Sequence, residues 1–272
     1  MNDKPPAAII GGSGVKAIIK GTEKTIGTPY GPSPPIVYGQ VAGRSVYFLP
    51  RHGEHHQFPP HMVNYRANIW ALRQLGVERI IATNAVGGIN RELTPGDIVI
   101  PVDIVDMTKS RKGTFYDKAP VTHIDVSQPY CPILRRLLIE TARTSKVNVH
   151  ENVVMAATEG PRYETPAEIK MLSTAGCGIV GMTGAPEAFL ARELQLCYSS
   201  VSFVSNMAAG LQRQLSAVEV EEKGRETSKI LNSILIEAVA NIPERHNDCP
   251  CASALDHAQL VSNTVEVKQL AR

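Results

Sequence analysis

The chain has no apolar run of the ~18 residues that a membrane-spanning helix needs, so a helical membrane protein is not the expected class. It has no excess of one charge either. Twenty-eight basic against 26 acidic residues leave a net charge of +2, so no nucleic-acid partner is implied and scattered basic side chains are better suited to small phosphates. The opening residues M-N-D-K-P-P lack the layout of a secretory signal. Cysteines are sparse and odd in number, five in all, and Cys131, Cys177 and Cys197 sit in apolar or mixed surroundings; this suits a reducing cytoplasm. Neither an internal repeat nor a domain linker is found.

What is present fits one large globular domain: 272 residues, 43% hydrophobic and 20% charged, are enough for a substantial core. Apolar, β-branched segments at 7–10, 46–49, 79–82, 98–105, 153–157, 177–182 and 197–204 read as strands. Helical patterns at 64–75, 132–145, 166–174, about 186–194 and 217–241 lie between or after them. The alternation predicts a single layered α/β domain over residues 1–245, with helices on both faces of the sheet, and a tail over 246–272.

Several strand ends carry groups suited to an anion. The first strand runs into Gly11-Gly12-Ser13-Gly14, where glycines let backbone N–H groups converge and Ser13 adds a hydroxyl. The segment fits G-x-G-x-x-A, but Gly21 and Gly27 leave little room for the helix a dinucleotide fold needs, and residues 27–35 offer no acidic residue. A phosphate loop or a plain tight turn remains. A hairpin about Ala42-Gly43-Arg44 leads into Arg51-His52-Gly53-Glu54, where Arg51 offers a planar fork and His52 a further donor. Four histidines within ten residues (His52, His55, His56, His61) match no metal-ligand spacing. Thr83-Asn84-Ala85-Val86-Gly87-Gly88 places a second glycine pair after a strand, and Thr183 stands beside a helix start. Residues 106–130 form a long polar connection that contains Lys109, Arg111, Lys112 and His123.

The stretch Glu159 to Glu168 reads E-G-P-R-Y-E-T-P-A-E. Thr165 and Glu168 form a capping box with Pro166 at the first helical position, which leaves Glu164 free beside Tyr163 to accept a hydrogen bond from a planar ligand. Taken locally, a solvated loop glutamate fits as well. Asn206 falls at the carboxyl edge of an apolar strand, where open α/β sheets bind ligands. In the tail, Cys249-Pro250-Cys251 with His246 and His257 nearby matches no common zinc spacing, and a bridge across one residue is strained. A mobile or surface-packed tail, and no metal, is expected.

Eight motifs occur in order: G-G-S-G, L-P-R-H-G, N-Y-R-A-N-I-W-A-L, T-N-A-V-G-G, P-G-D-I-V-I-P, E-G-P-R-Y-E-T, G-M-T-G-A-P-E and S-N-M-A-A-G. With these the chain, from residue 7 to about 243, resembles the trimeric purine nucleoside phosphorylase and methylthioadenosine phosphorylase family. The resemblance implies a mixed central sheet, a homotrimer sometimes paired into a hexamer, phosphate as co-substrate, and no cofactor or metal. Carried over residue by residue, it implies phosphate binding by Ser13, Arg51, His52, Asn84, Ala85 and Thr183. Met182 would lie under the ribose, and His123 would reach the neighbouring subunit's site near the sugar 5′ position. Tyr163, Glu164, Asn206 and Ala208 would surround the base, and Leu215 and Ala217 would lie near the 5′ group. Methylthioadenosine phosphorylases of this family typically carry serine at the position of Glu164 and aspartate at that of Asn206. The Glu and Asn here resemble the 6-oxopurine enzymes, and the combination resembles the microbial S-methyl-5′-thioinosine phosphorylases. A carboxylate accepts from the N1–H of a 6-oxopurine and repels the bare N1 lone pair of adenine.

Other reaction classes stay in view. A methylthioadenosine phosphorylase is the nearest alternative. The R-H-G-E stretch also resembles the histidine-phosphatase signature, though His123, His150, His246 and His257 do not carry that family's second motif. A nucleosidase using water is a third.

Overall fold

The computed structural model describes residues 5–12, 19–243 and 249–259. Thirteen strands are β1 (Ala7–Gly11), β2 (Thr22–Lys24), β3 (Gly27–Thr28), β4 (Gly31–Pro32), β5 (Ile36–Val41), β6 (Arg44–Pro50), β7 (Arg79–Gly88), β8 (Ile98–Val99), β9 (Asp103–Met107), β10 (Val149–His150), β11 (Val154–Thr158), β12 (Cys177–Gly181) and β13 (Cys197–Met207). Five α-helices are α1 (Tyr65–Gln74), α2 (Pro132–Arg143), α3 (Pro166–Thr174), α4 (Glu187–Glu193) and α5 (Ala217–Ala240).

Eleven strands form one mixed sheet whose spine runs β10-β8-β13-β7-β1-β6-β5-β2. β6, β1, β7 and β13 are parallel neighbours, so their carboxyl ends open on one edge. β12 joins antiparallel to the far end of β7 and carries β11 and β9 beyond it. Side chains alternate between two cores, as the pleat requires. Ala7, Ile9 and Ile81 pack with Leu134 and Leu138 of α2 and Leu231, Ile234 and Leu235 of α5. Ala8, Ile10 and Ile80 pack with Ile69 and Leu72 of α1 and Leu190 and Ala191 of α4. The α/β class with helices on both faces is therefore observed.

Local chemistry sets most element ends. Ala42 and Gly43 both take positive φ (49° and 76°), the conformation of a two-residue hairpin turn between β5 and β6. Asn64 caps α1 by accepting from the amide of Ala67, and Gly76 (φ 75°) follows that helix. The Thr165–Glu168 capping box is formed in both directions.

Three expectations need correction. The strand expected at 98–105 is two strands, β8 and β9, which pair with different partners on either side of Pro101; proline supplies no N–H to a ladder. β7 does not stop at Ala82 but runs through the T-N-A-V-G-G stretch, because Gly87 and Gly88 pair with β12 on one side and with Asn206 and Met207 on the other. The tail cysteines are not at the surface: Cys249 and Cys251 are each 1% exposed and join the core that α2 and α5 cover.

Candidate active site

A cavity of about 1300 Å³ opens at the carboxyl edge of the parallel strands. Its wall collects Gly11 and Gly12 after β1, Arg51 and His52 after β6, Asn84 to Gly87 of β7, Met182 and Thr183 after β12, and Ser205 and Asn206 of β13. Tyr163 and Glu164 enter from the loop before α3, and Ala208, Leu215 and Ala217 from the approach to α5. The cavity thus brings together Arg51, His52, Asn84, Ala85, Tyr163, Glu164, Met182, Thr183, Asn206, Ala208, Leu215 and Ala217. Ser13 lies outside the described residues. His123 does not line this chain's cavity; it is exposed on the long loop, its amide donating to the Ala258 carbonyl at 2.8 Å.

Arg51 is 1% exposed, and much of its fork is already engaged. Nε and Nη2 donate to the Glu187 carboxylate at 2.7 and 2.6 Å, Nη1 donates to the Thr83 carbonyl at 2.8 Å, and the Tyr198 hydroxyl donates to the same carboxylate at 2.7 Å. The sequence suggested that the fork faces phosphate. Instead Glu187 takes its Nε/Nη2 edge, and the remaining N–H bonds of the two terminal nitrogens are the ones free to meet an anion. Burial works against the Arg51 charge, but the Glu187 carboxylate more than offsets it, so the pKa is raised. Gly12 is required beside this group: a Cβ there would stand 2.8 Å from Arg51 Nη1 and 2.5 Å from the Thr83 oxygen.

His52 Nδ1 lies 2.8 Å from the Phe58 carbonyl, so Nδ1 carries the proton and Nε2 keeps its lone pair. Burial first, and then the Arg51 charge, push its pKa down to about 3. His52 is therefore neutral near pH 7: its one N–H is spent on Phe58, so it is not the further donor expected, and Nε2 can accept from a protonated oxygen of an anion. Thr183 Oγ1 donates to Asn84 Oδ1 at 2.9 Å, while the buried Asn84 Nδ2 has no partner. An unpartnered buried donor on a cavity wall is costly unless a ligand satisfies it.

Elsewhere in the lining, Thr158 Oγ1 donates to Glu164 Oε1 at 2.5 Å, which orients the carboxylate from the end of β11. The register of β13 on β7 shifts between Val204 and Asn206. This bulge turns Asn206 to the cavity, with Oδ1 accepting from Ser205 Oγ (2.6 Å) and Nδ2 donating one hydrogen to the Met207 carbonyl (2.8 Å). The second Nδ2 hydrogen remains for a ligand. Gly160, at φ 66°, admits Met182: a Cβ at 160 would lie 2.7 Å from its sulfur.

Sequence reasoning missed three residues that hold this arrangement. Glu187 has only a helix start around it in the sequence, yet it is fully buried against Arg51. Tyr198 lies in an apolar strand and donates to the same carboxylate. Arg111 lies in the long loop. Its guanidinium donates to the carbonyls of Thr158, Glu159, Met182 and Ala185 and to the Tyr65 hydroxyl at 2.6–3.1 Å, tying the Glu164 loop to the Met182–Thr183 turn. The signal for Arg111 was its place in a long loop; Glu187 and Tyr198 gave none, since their partners are distant in sequence.

Residues 6–240 match the family described as the Phosphorylase superfamily. A protein of Thermococcus kodakarensis named a probable 6-oxopurine nucleoside phosphorylase is 46% identical over 265 residues, covering 93% of this chain and 98% of that protein. A probable S-methyl-5′-thioinosine phosphorylase of Methanopyrus kandleri is 46% identical over 254 residues, covering 93% and 98%. An S-methyl-5′-thioadenosine phosphorylase of Pyrococcus furiosus is also 46% identical, covering 92% and 98%. Among solved structures, a methylthioadenosine phosphorylase from an antarctic soil metagenomic library superposes with a TM-score of 0.88 at 33% identity, covering 96% of this chain and 94% of that one. The match begins just before β1 and ends with α5, so it takes in the strands and loops that wall the cavity: the chain belongs to the phosphorylase superfamily.

Proposed function

We propose that the protein is a pentosyltransferase that splits 6-oxopurine nucleosides with phosphate, giving a free base and a ribose 1-phosphate or its 5-methylthio analogue. S-Methyl-5′-thioinosine, inosine and guanosine are the candidate substrates. Overall identity does not choose among them, because relatives named for 6-oxopurine, thioinosine and thioadenosine substrates are equally similar to this chain. The observation that carries the reading is that Glu164 and Asn206 both line this one cavity. A carboxylate accepts from the N1–H of hypoxanthine or guanine, and an amide donates to N7 or O6; adenine keeps N7 but has a bare lone pair at N1 and an amino donor in place of O6.

The β13–β7 register supports the layout. Asn206 stands opposite Gly87, three residues along β7 from Asn84, or ~10 Å at ~3.3 Å per residue. That spacing leaves room for a sugar between base and phosphate. Arg51, neutral His52, Asn84, Thr183 and backbone N–H groups hold the phosphate. An oxygen of that dianion attacks C1′ as the bond to purine N9 breaks. The bonding pair leaves with the base, the positive charge on the ribosyl ring is stabilised by the phosphate, and capture inverts C1′. Negative charge developing on the departing purine is met by the Asn206 N–H, and Glu164 fixes the ring through N1–H. Preorganised donors at such positions are worth ~3–4 kcal/mol each. Phosphate is the co-substrate, and this chemistry calls for no cofactor.

Leu215 and Ala217 are assigned to the 5′ group. The same reading takes the protein as a cytoplasmic homotrimer or a pair of trimers, with His123 of each subunit reaching its neighbour's 5′ end. Among the described residues no helix is long and apolar enough to cross a membrane. A cleavage panel with and without phosphate tests the proposal: inosine, guanosine, methylthioinosine, adenosine and methylthioadenosine. Phosphate-dependent cleavage of the first three is expected. Preference for the adenine compounds would give the methylthioadenosine reading instead, and cleavage without phosphate would indicate a hydrolase.

A further inference from the structure

Four of the five cysteines converge on one point in the core, and none of them lines the cavity described above. Cys131 is the N-cap of α2, Cys197 opens β13, and Cys249 and Cys251 come from the 249–259 segment. Their sulfurs all lie within 4.8 Å of one another, with Cys197 Sγ 3.4 Å from Cys249 Sγ, and each residue is 0–1% exposed. Four thiolates around one zinc ion at ~2.3 Å stand ~3.8 Å apart. The cluster is therefore the size that a single ion fills.

The surroundings carry the second argument. Arg79 Nη1 donates to Cys197 Sγ at 3.1 Å, and Arg192 Nη1 donates to Cys251 Sγ at 3.4 Å. Both arginines are buried, at 3% and 6% exposure. Their other polar contacts are backbone oxygens, of Pro243 for Arg79 and of Asp125 for Arg192. The Asp125 carboxylate accepts from Ser127 rather than from Arg192, and among the described residues neither arginine is within ion-pair distance of a carboxylate. A buried cation without a counter-charge is expensive. Four thiolates on a divalent ion carry a net charge of −2, which the two guanidinium groups balance. Four neutral thiols, or two disulfides, place no negative charge beside either guanidinium, and the exposed Asp125 carboxylate, whose pKa is lowered by the Ser127 hydrogen bonds and then by the Arg192 charge, offsets Arg192 only in part.

We propose that Cys131, Cys197, Cys249 and Cys251 bind one structural zinc ion, with Arg79 and Arg192 hydrogen-bonded to its thiolates from outside. Soft sulfur ligands in a tetrahedron select zinc over the harder divalent ions, and the site is closed, with no position left for water or substrate. Such an ion joins three distant parts of the chain. It also anchors the segment whose Ala258 carbonyl accepts from the His123 amide and whose Gln259 bridges Thr122, so it steadies the middle of the long loop.

The test uses the full chain, purified under reducing conditions, with metal content measured by elemental mass spectrometry and thiols counted in parallel. One zinc per chain is expected, released when the thiols are mercurated. Cys177→Ser should keep it, and the double variant Cys249→Ser/Cys251→Ser should lose it. Independently of any variant, stripped wild-type protein reloaded with cobalt(II) should show the absorption of a tetrahedral cobalt–thiolate centre. Protein that holds no zinc and gives no cobalt–thiolate spectrum overturns the proposal, whether its cysteines are then free or paired as disulfides. Iron bound in place of zinc would overturn the choice of ion.

Discussion

Selectivity and anion binding rest on a few atoms. If the Asn206 amide donates to the base, Asn206→Asp should move activity toward 6-aminopurines and weaken it on inosine. An unmatched buried pair costs ~1–3 kcal/mol, so a fall in kcat/KM for inosine of roughly 10- to 100-fold is expected in steady-state assays; unchanged inosine turnover would remove Asn206 from the base. Glu187 makes a different prediction. It neutralises the buried Arg51 through two hydrogen bonds, so Glu187→Gln leaves an uncompensated cation in the core. Breaking a buried pair costs ~3–5 kcal/mol, which chemical denaturation should report, together with a higher KM for phosphate as Arg51 loses its orientation. His52 supplies the pH prediction. Its pKa is about 3 in the folded chain against 6.5 when unfolded. Below pH 6.5 the unfolded state takes up a proton that the folded state refuses, so this contribution to stability is complete above about 6.5 and is lost as pH falls toward 3. Urea midpoints measured across that window should fall with pH, and less steeply for His52→Asn, whose amide can keep the bond to Phe58.

Among the elements, the segment between β11 and α3 shows how a short stretch is held at both ends. The capping box fixes the start of α3, with Glu168 also taking two hydrogen bonds from Arg162. The other end hangs on Arg111, which grips the last residue of β11, the residue after it, and the turn after β12. Lysine keeps the charge but has no planar fork for several carbonyls at once. Arg111→Lys should therefore raise the nucleoside KM by on the order of 10-fold, the loss of one well-made buried hydrogen bond or so. Because Arg111 acts through these loops, kcat should change less than KM; a pure kcat effect would contradict a positioning role.

For the whole molecule, the exposed His123 does not line this chain's own cavity. Val121 and Val126 on the same loop are 53% and 36% exposed. If each site borrows His123 from a neighbour, light scattering should give three chain masses or a multiple of three. His123→Ala and Asn206→Ala oligomers should each be weak, and unfolding and refolding them together should regain activity, since some sites then combine an intact Asn206 with an intact partner loop. Failure of every mixture to recover would mean that the sites are self-contained.

Most of the architecture was legible in the chain because its signals are local. Short apolar runs marked β1 and β6, and Thr165-Pro166 with Glu168 marked the start of α3. The motifs also named most of the residues that now share the cavity wall. What could not be read locally was pairing between distant segments. Whether β7 ends at Ala82 or runs to Gly88 depends on β12 and β13 lying beside it. Whether Arg51 is free for phosphate depends on Glu187, 136 residues away. Cys249-Pro250-Cys251 matches no ligand spacing on its own, because its two partner cysteines come from α2 and β13. Spacing and periodicity determined the elements and the candidate residues; tertiary structure decided which charges and thiols meet, since those energies depend on distance in space and not on separation along the chain.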